Sequence, residues 1–405
     1  MTDHQAQAAV DRVARESYGR LVAYLASRSR DIAAAEDALA DAFGLALRHW
    51  PKEGLPRVPE AWLLTAARRQ LGKAERHARV IRSNEAELTR HIEEALEAMT
   101  HGEDGMADER LKLLFVCAHP AIAADAQTPL MLQTVIGLDA ARIARAFVVP
   151  PATMSQRLVR AKARIRDTGI RFAIPDTPEL PARLDAVLQA IYAAFSAGWD
   201  ALDGDAGGEL SDDAIWLGRT LVQLMPQQTE ALSLLALMLH CHARRAARRR
   251  GDAFVPLAAQ DTALWDDGLI AEADGLLVMA SRGEGFGRFQ CEAAIQSVHA
   301  ARKATGRVDE AALETLYAAL VRLAPTIGAQ VAAAAACRDA ARGLAMLDGV
   351  ASEAISAYQP YHAVRADLLA RLGRGAEARH AYEKAAALAL DPAVRQFLLA
   401  RMTQA

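Results

Sequence analysis

The sequence predicts an all-α protein, and three features carry that expectation. Alanine and leucine dominate while aromatic residues make up only 5%, a balance that suits packed helices better than strands. Apolar residues recur at helical spacing along most of the chain. Prolines and glycines collect between these stretches, where helices should stop. Hydrophobic residues reach 52% of 405, enough for two or three domains with a sizeable core and too many for wholesale disorder. The N-terminus, MTDHQAQAAVDRVARESYGRL, has no apolar signal core. The run ALSLLALML (231–239) is far too short to cross a bilayer. The expectation is a soluble, cytoplasmic protein with no membrane contact. Cys117, Cys241, Cys291 and Cys337 are scattered with no CxxC pair, which predicts buried free thiols. Cys117 and His119 lie two apart, but no second ligand pair accompanies them, so no metal site is expected.

The net charge of −3 conceals a pattern. Residues 68–82 hold six basic side chains and one acid, residues 83–110 nine acids and two basic side chains, and residues 142–171 eight basic side chains and one acid. Solvated helix faces are one reading. The other is two contacts with nucleic acid, joined by a strap too acidic to bind the same polyanion.

The stretch ARIARAFVVPPATMSQRLVRAKARI (141–165) shows how the second contact would work. Ile143, Ala144 and Phe147 form the apolar stripe of a short helix that VVPP ends. Pro151 suits the first turn of a second helix. There Met154, Leu158, Ala161 and Ile165 make one buried face. Thr153, Arg157, Arg160 and Arg164 share another face, with Gln156 beside them. This is helix-turn-helix logic, in which early side chains reach base edges and later cations reach phosphates. A plain helical hairpin is the alternative.

Upstream, AAAEDALADAFGLALRHW (33–50) reads as an amphipathic helix with Glu36, Asp37 and Asp41 on its polar side. The loop PKEGLPRVP follows, and then EAWLLTAARRQLGKAERHARV, a helix with an apolar start and a basic end. Trp62 fits that apolar start as a core residue.

This order resembles the bacterial extracytoplasmic-function sigma factors over residues 8–168. AEDALADAF is similar to region 2.2, AWLLTAARRQLGKAERHAR to regions 2.3 and 2.4, DERLKLLFVCAHPAI (108–122) to the start of region 4, and residues 141–165 to region 4.2. The resemblance implies that Glu36, Asp37, Asp41 and Phe43 dock on core RNA polymerase. It implies that Arg68, Arg69, Lys73, Arg76 and Arg79 hold the −10 element of promoter DNA. For the −35 element it implies Arg142, Thr153, Ser155 and Gln156, followed by Arg157, Arg160, Lys162 and Arg164. The chain departs from the family where Arg69 and Lys73 replace the common Asn and Asp. Gly72, inside the same helix, should cost about 1 kcal/mol against alanine.

The domains implied are sigma region 2 over 8–83, an acidic linker over 84–106, region 4 over 107–168, a linker over 169–184, and a helical domain over 185–405. GRGAEARHAYEKAAALALDP (373–392) resembles the second half of a tetratricopeptide repeat, with Gly373, Ala378, Tyr382 and Ala385 at its small and aromatic positions and Ala366 in the helix before. LYAALVRLAP (316–325) and LGRTLVQLMP (217–226) echo the ending of such a repeat. The expectation is a degenerate repeat domain. The whole arrangement resembles a sigma-factor subgroup with a long C-terminal extension of tetratricopeptide-like repeats, and the resemblance implies that this domain modulates sigma activity, through an intramolecular or protein partner. HARRAARRRGD (242–252) reads as a solvated helix end or a third basic contact. Asp261, Asp266 and Asp267 read as helix-start acids, with Trp265 in the core.

No P-loop, GxGxxG after a strand, HExxH or GxSxG is present, and SRGEGFGRFQ (281–290) reads as a loop between helices. The sequence therefore predicts a non-enzyme without a cofactor. A DNA-binding regulator with a tetratricopeptide-like sensor domain is the alternative function, and a peptide-binding scaffold a further one.

Overall fold

The computed structural model describes residues 3–78, 103–147, 149–175, 178–200, 205–350 and 353–405. Among these residues the regular structure is helical apart from one two-residue hairpin, Arg249–Arg250 with Ala253–Phe254. The all-α class holds. No described helix is long and apolar enough to cross a membrane. All four cysteines are buried and free. The chain divides into two compact units, Met1–Leu221 and Val222–Ala405.

The first unit begins with α1 (Asp3–Ser29), α2 (Ile32–Glu53) and α3 (Pro59–Ala78), which pack on one another. The Asp31 carboxylate accepts from the Ala34 N–H at 3.1 Å, an N-cap worth about 1 kcal/mol. Ile32, Ala35, Leu39, Ala42, Ala46 and Trp50 line the inward face of α2. The helix runs through Pro51 into what the sequence suggested was loop, and ends at Gly54, whose φ is 90°. A proline this near the end forfeits little, and Trp50, 1% exposed, anchors the turn.

The unit continues with α4 (Glu103–Cys117), α5 (Ala124–Thr134), α6 (Ala140–Ala146), α7 (Pro151–Thr168), α8 (Leu180–Asp200) and α9 (Asp205–Leu224). Helix α4 packs on α1, α5 and α8, and α7 packs on α5, α6 and α2. The expected linker at 169–184 is helical from Leu180 onward and is fastened to the unit. Arg183, 6% exposed, donates to the Phe115 carbonyl and pairs with Glu179 at 3.3 Å. The Arg110 guanidinium lies over Trp216 at 4.6 Å. These contacts fasten α8 and α9 to the first compact unit, which extends to Leu221.

The second unit is a succession of helices: α10 (Thr229–Ala243), α11 (Asp267–Ala280), α12 (Arg288–Ala300), α13 (Arg302–Thr305), α14 (Glu310–Leu323), α15 (Ile327–Ala336), α16 (Ala340–Asp348), α17 (Gln359–Arg371), α18 (Gly375–Leu388) and α19 (Pro392–Gln404), each packed on the next except that α14 packs on α12 across the short α13. Ala366, Ala378, Tyr382 and Ala385 are all buried between α17 and α18, with Gly373 turning the chain at φ 72°. Small side chains there let the two helices approach closely. Asp266 caps α11 through the Leu269 N–H at 3.0 Å, and Trp265 is 4% exposed, both as expected.

The arginine-rich run departs from the expected helix end. Helix α10 stops at Ala243, and the chain then forms a 3₁₀ turn and the hairpin, which reverses at Gly251. Arg244 donates to Gln296 Oε1 at 2.6 Å and Arg249 pairs with Asp391 at 2.9 Å. The glycine loop at 281–287 is not a phosphate cradle. The Glu230 carboxylate already accepts from the Phe289 and Gln290 N–H groups at 2.9 and 3.2 Å. A Cβ at Gly287 would lie 2.3 Å from that carboxyl carbon.

Two imidazoles in this unit titrate far from their ordinary range. Burial pushes His240 down to about 4, with Asp274 opposing and Arg244 adding to the shift. Burial, then Arg244 and Arg302, push His299 down to about 4. Both groups take up protons near 6.5 in the unfolded chain and stay neutral in the folded one, so acidification below 6.5 favours unfolding. The urea midpoint should therefore fall as pH drops from 6.5 toward 4, and His240→Gln with His299→Gln should flatten that slope.

Candidate nucleic-acid and protein interface

Helices α6 and α7 form the helix pair that the sequence suggested. Asp139 starts α6 by accepting from the Arg142 N–H at 2.8 Å. Pro151 opens α7, and Gly169, in the left-handed region at φ 63°, closes it. Met154, Leu158, Ala161 and Ile165 are buried as a stripe, each large side chain contributing about 1.5–3 kcal/mol by leaving water. Ile143 and Ala144 are also buried, whereas Phe147 is 37% exposed. The reason is local: α6 ends at Ala146, so Phe147 falls outside the helix and off its stripe.

The polar residues of α7 divide into two groups. Ser155, Gln156, Arg160 and Arg164 are exposed, Thr153 is half-buried, and Arg142 on α6 is half-buried. The four exposed residues make up the outward ridge. Arg157 is half-buried and pairs with Asp125 of α5 at 3.3 Å, so it braces the helix pair. Lys162 is not on the ridge. It is 9% exposed and its ammonium group pairs with the Glu36 carboxylate on α2. Two residues expected in separate interfaces thus meet each other. Lys162 stands four residues after Leu158 and three before Ile165, and Glu36 stands four after Ile32 and three before Leu39. Helical spacing alone puts both beside the buried stripes of their helices.

The surroundings of the pair are tightly built. Burial raises the Glu36 carboxyl above its ordinary value, the charge and hydrogen bond of Lys162 lower it, and Asp37 raises it. Burial and then Glu36 push the Tyr18 phenol up. Burial takes the Cys117 thiol to about 12, with its hydrogen bond to Thr134 and the charge of Lys162 opposing. Close by, α1 touches the end of α5 directly: a Cβ at Gly19 would lie 1.8 Å from the Val135 carbonyl oxygen. Arg110 donates to the same oxygen at 3.3 Å. Gly137 has φ 83°, and a Cβ there would sit 3.0 Å from the Tyr18 ring. Nothing in the local pattern around Tyr18, Gly19 or Arg110 reveals these partners, which lie 119, 116 and 25 residues further along the chain.

On α2, Asp37 and Asp41 are exposed and Phe43 is half-buried. On α3, Arg69 is exposed and Arg68 half-buried. The helix continues unbroken through Gly72 and carries Lys73 and Arg76 in its last turns. Arg79 and residues 84–102 of the expected acidic linker lie outside the described residues. A groove of about 710 Å³ opens between α2 and α3, lined among others by His49, Arg57, Trp62 and Arg69. Trp62 is half-buried in its wall instead of in the core, edge-on to Trp50 with ring centroids 5.7 Å apart. An aromatic face between guanidinium groups is chemistry that stacks a nucleobase and holds its phosphate.

A cavity of about 650 Å³ in the second unit is also edged by arginines, Arg302 and Arg371 among them. Both are committed to backbone carbonyls. Arg302 donates to Leu257, Ala258 and Gln260, and Arg371 to Arg338. These guanidinium groups staple loops together.

The fold and site define an all-α protein with a cationic ridge on a helix pair and a carboxylate face two helices from the N-terminus. The chain is 37% identical over 385 residues to an uncharacterized protein of Rhizobium meliloti (strain 1021), covering 93% of this chain and 90% of that one, and belongs to the same family. Residues 183–281 match a family of unknown function, DUF6596. No solved structure matches.

The pair at 36 and 162 predicts a measurable asymmetry. Lys162→Met leaves a largely buried carboxylate without its cation and should cost about 1–3 kcal/mol of folding stability, while Glu36→Leu with Lys162→Met should cost less than the single change. Urea denaturation of the two variants checks this.

Proposed function

We propose that the chain is a transcription-initiation subunit of the extracytoplasmic-function sigma class, whose helical region at 185–405 modulates its activity. The observation that carries this reading is the α6–α7 pair, which buries its apolar stripe and turns Ser155, Gln156, Arg160 and Arg164 outward. Side chains at the start of α7 can enter a groove and reach base edges of promoter DNA, while Arg160 and Arg164 reach phosphates. Asp37 and Asp41 offer carboxylates to a cationic surface of core RNA polymerase. The groove beside Trp62 offers a stacking face to a splayed base, with Arg57 and Arg69 for its backbone. Each neutralised phosphate should contribute about 0.9 to the salt slope of DNA binding.

A second reading draws on the pairing of Glu36 with Lys162. A helix-turn-helix regulator that never docks on polymerase has no need of a free carboxylate at position 36, and the tetratricopeptide-like helices would then be its sensor.

The two readings part in a binding experiment. Arg160→Ala with Arg164→Ala should weaken promoter DNA binding, reduce the salt slope by about 2, and leave affinity for core polymerase unchanged. An unchanged slope would remove α7 from the DNA interface. Failure of the unaltered chain to bind core polymerase would favour the regulator.

A further inference from the structure

We propose that the ion pair between Glu36 and Lys162 is a releasable clasp that closes α7 against α2 and withholds Glu36 from an outside partner. This rests on the sigma reading for the identity of that partner, a cationic surface of core polymerase. Three observations support it. First, Glu36 is the inner member of the carboxylate group on α2, where Asp37 and Asp41 are exposed and Glu36 is not. Second, the side chains of Glu36 and Lys162 are only 16% and 10% exposed. A basic group from a partner cannot reach Glu36 while Lys162 occupies it. Third, one Glu36 oxygen, Oε1, is buried with no hydrogen-bond partner among the described residues, while Oε2 takes the ammonium group. The carboxylate is only half satisfied in the closed arrangement, and a guanidinium fork could satisfy both oxygens at once.

Opening the clasp is an exchange of cations. Removing Lys162 with nothing in its place strands a buried carboxylate, whereas an incoming arginine keeps it paired and lets Lys162 return to water. Partner binding therefore supplies the compensation that opening requires. Because only the open form binds, the apparent affinity is reduced by the fraction of molecules that are open. Release of Lys162 also gives α7 one more cation for DNA, so engagement of α2 and of α7 favour each other.

The test uses the full chain with dyes on Arg48→Cys of α2 and Val159→Cys of α7. Both positions are exposed, and the four native cysteines are buried. Lys162→Met should lengthen or broaden the dye-to-dye distance and tighten core polymerase binding at least threefold. Glu36→Gln should loosen the same distance but weaken polymerase binding, and Lys162→Arg should stay closed. An unchanged distance in both Lys162→Met and Glu36→Gln overturns the clasp, as does an increased distance with unaltered polymerase affinity in Lys162→Met. If no variant binds core polymerase, the sigma reading falls. The clasp is then judged on the distance and on promoter DNA affinity, which Glu36→Gln should raise by freeing Lys162. A loosened distance with no gain in DNA affinity overturns it.

Discussion

A lysine near the middle of α7 reaches a glutamate on α2, 126 residues away in the chain, and the arrangement of the first unit converges on that meeting. Neither charge could sit there alone. An ammonium or carboxylate taken out of water costs several kcal/mol, and the mutual attraction repays this only when the geometry holds. Beside the pair, a backbone approach close enough to need glycine at position 19 seats α1 against the Val135 carbonyl at the end of α5, the helix on which α7 packs. Arg110 bonds that same oxygen and stacks on Trp216 of α9. The result ties the first helices of the chain to the helix pair that carries the cationic ridge.

That closeness shapes the functional account. The ridge of Ser155, Gln156, Arg160 and Arg164 faces outward, while Lys162 faces inward. On the proposed reading, α7 divides its positive charge between DNA and its own chain. Asp125 performs a similar office for Arg157. Such intramolecular pairs limit how much of the basic helix is available to a polyanion at any moment, and they give partner binding at α2 a direct physical route to DNA binding at α7.

How much of this was legible beforehand varied with distance along the chain. Single-helix periodicity placed the stripe of Met154, Leu158, Ala161 and Ile165 but not Phe147, and the resemblance to a tetratricopeptide repeat marked the buried small residues Ala366, Ala378 and Ala385 with Tyr382. Capping was equally readable at Asp266. The helix that starts at Leu180 inside the expected linker was not, because the three prolines of 171–184 resemble a loop, while Arg183 bonds a carbonyl 68 residues earlier. The arginine run at 242–252 misled for a similar reason, since the partners of Arg244 and Arg249 lie 52 and 142 residues downstream. For Glu36 and Lys162 a signal did exist. Both stand at inward-leaning positions of their helices, and two opposite charges so placed on different helices are candidates for each other. The resemblance had assigned them to different partners.

The central claim is that this chain directs polymerase to promoters. Run-off transcription with purified core RNA polymerase, the full chain and genomic promoter fragments tests it most directly. The account predicts discrete transcripts that appear only when the chain is added. No transcript, with core polymerase left unbound, would contradict it.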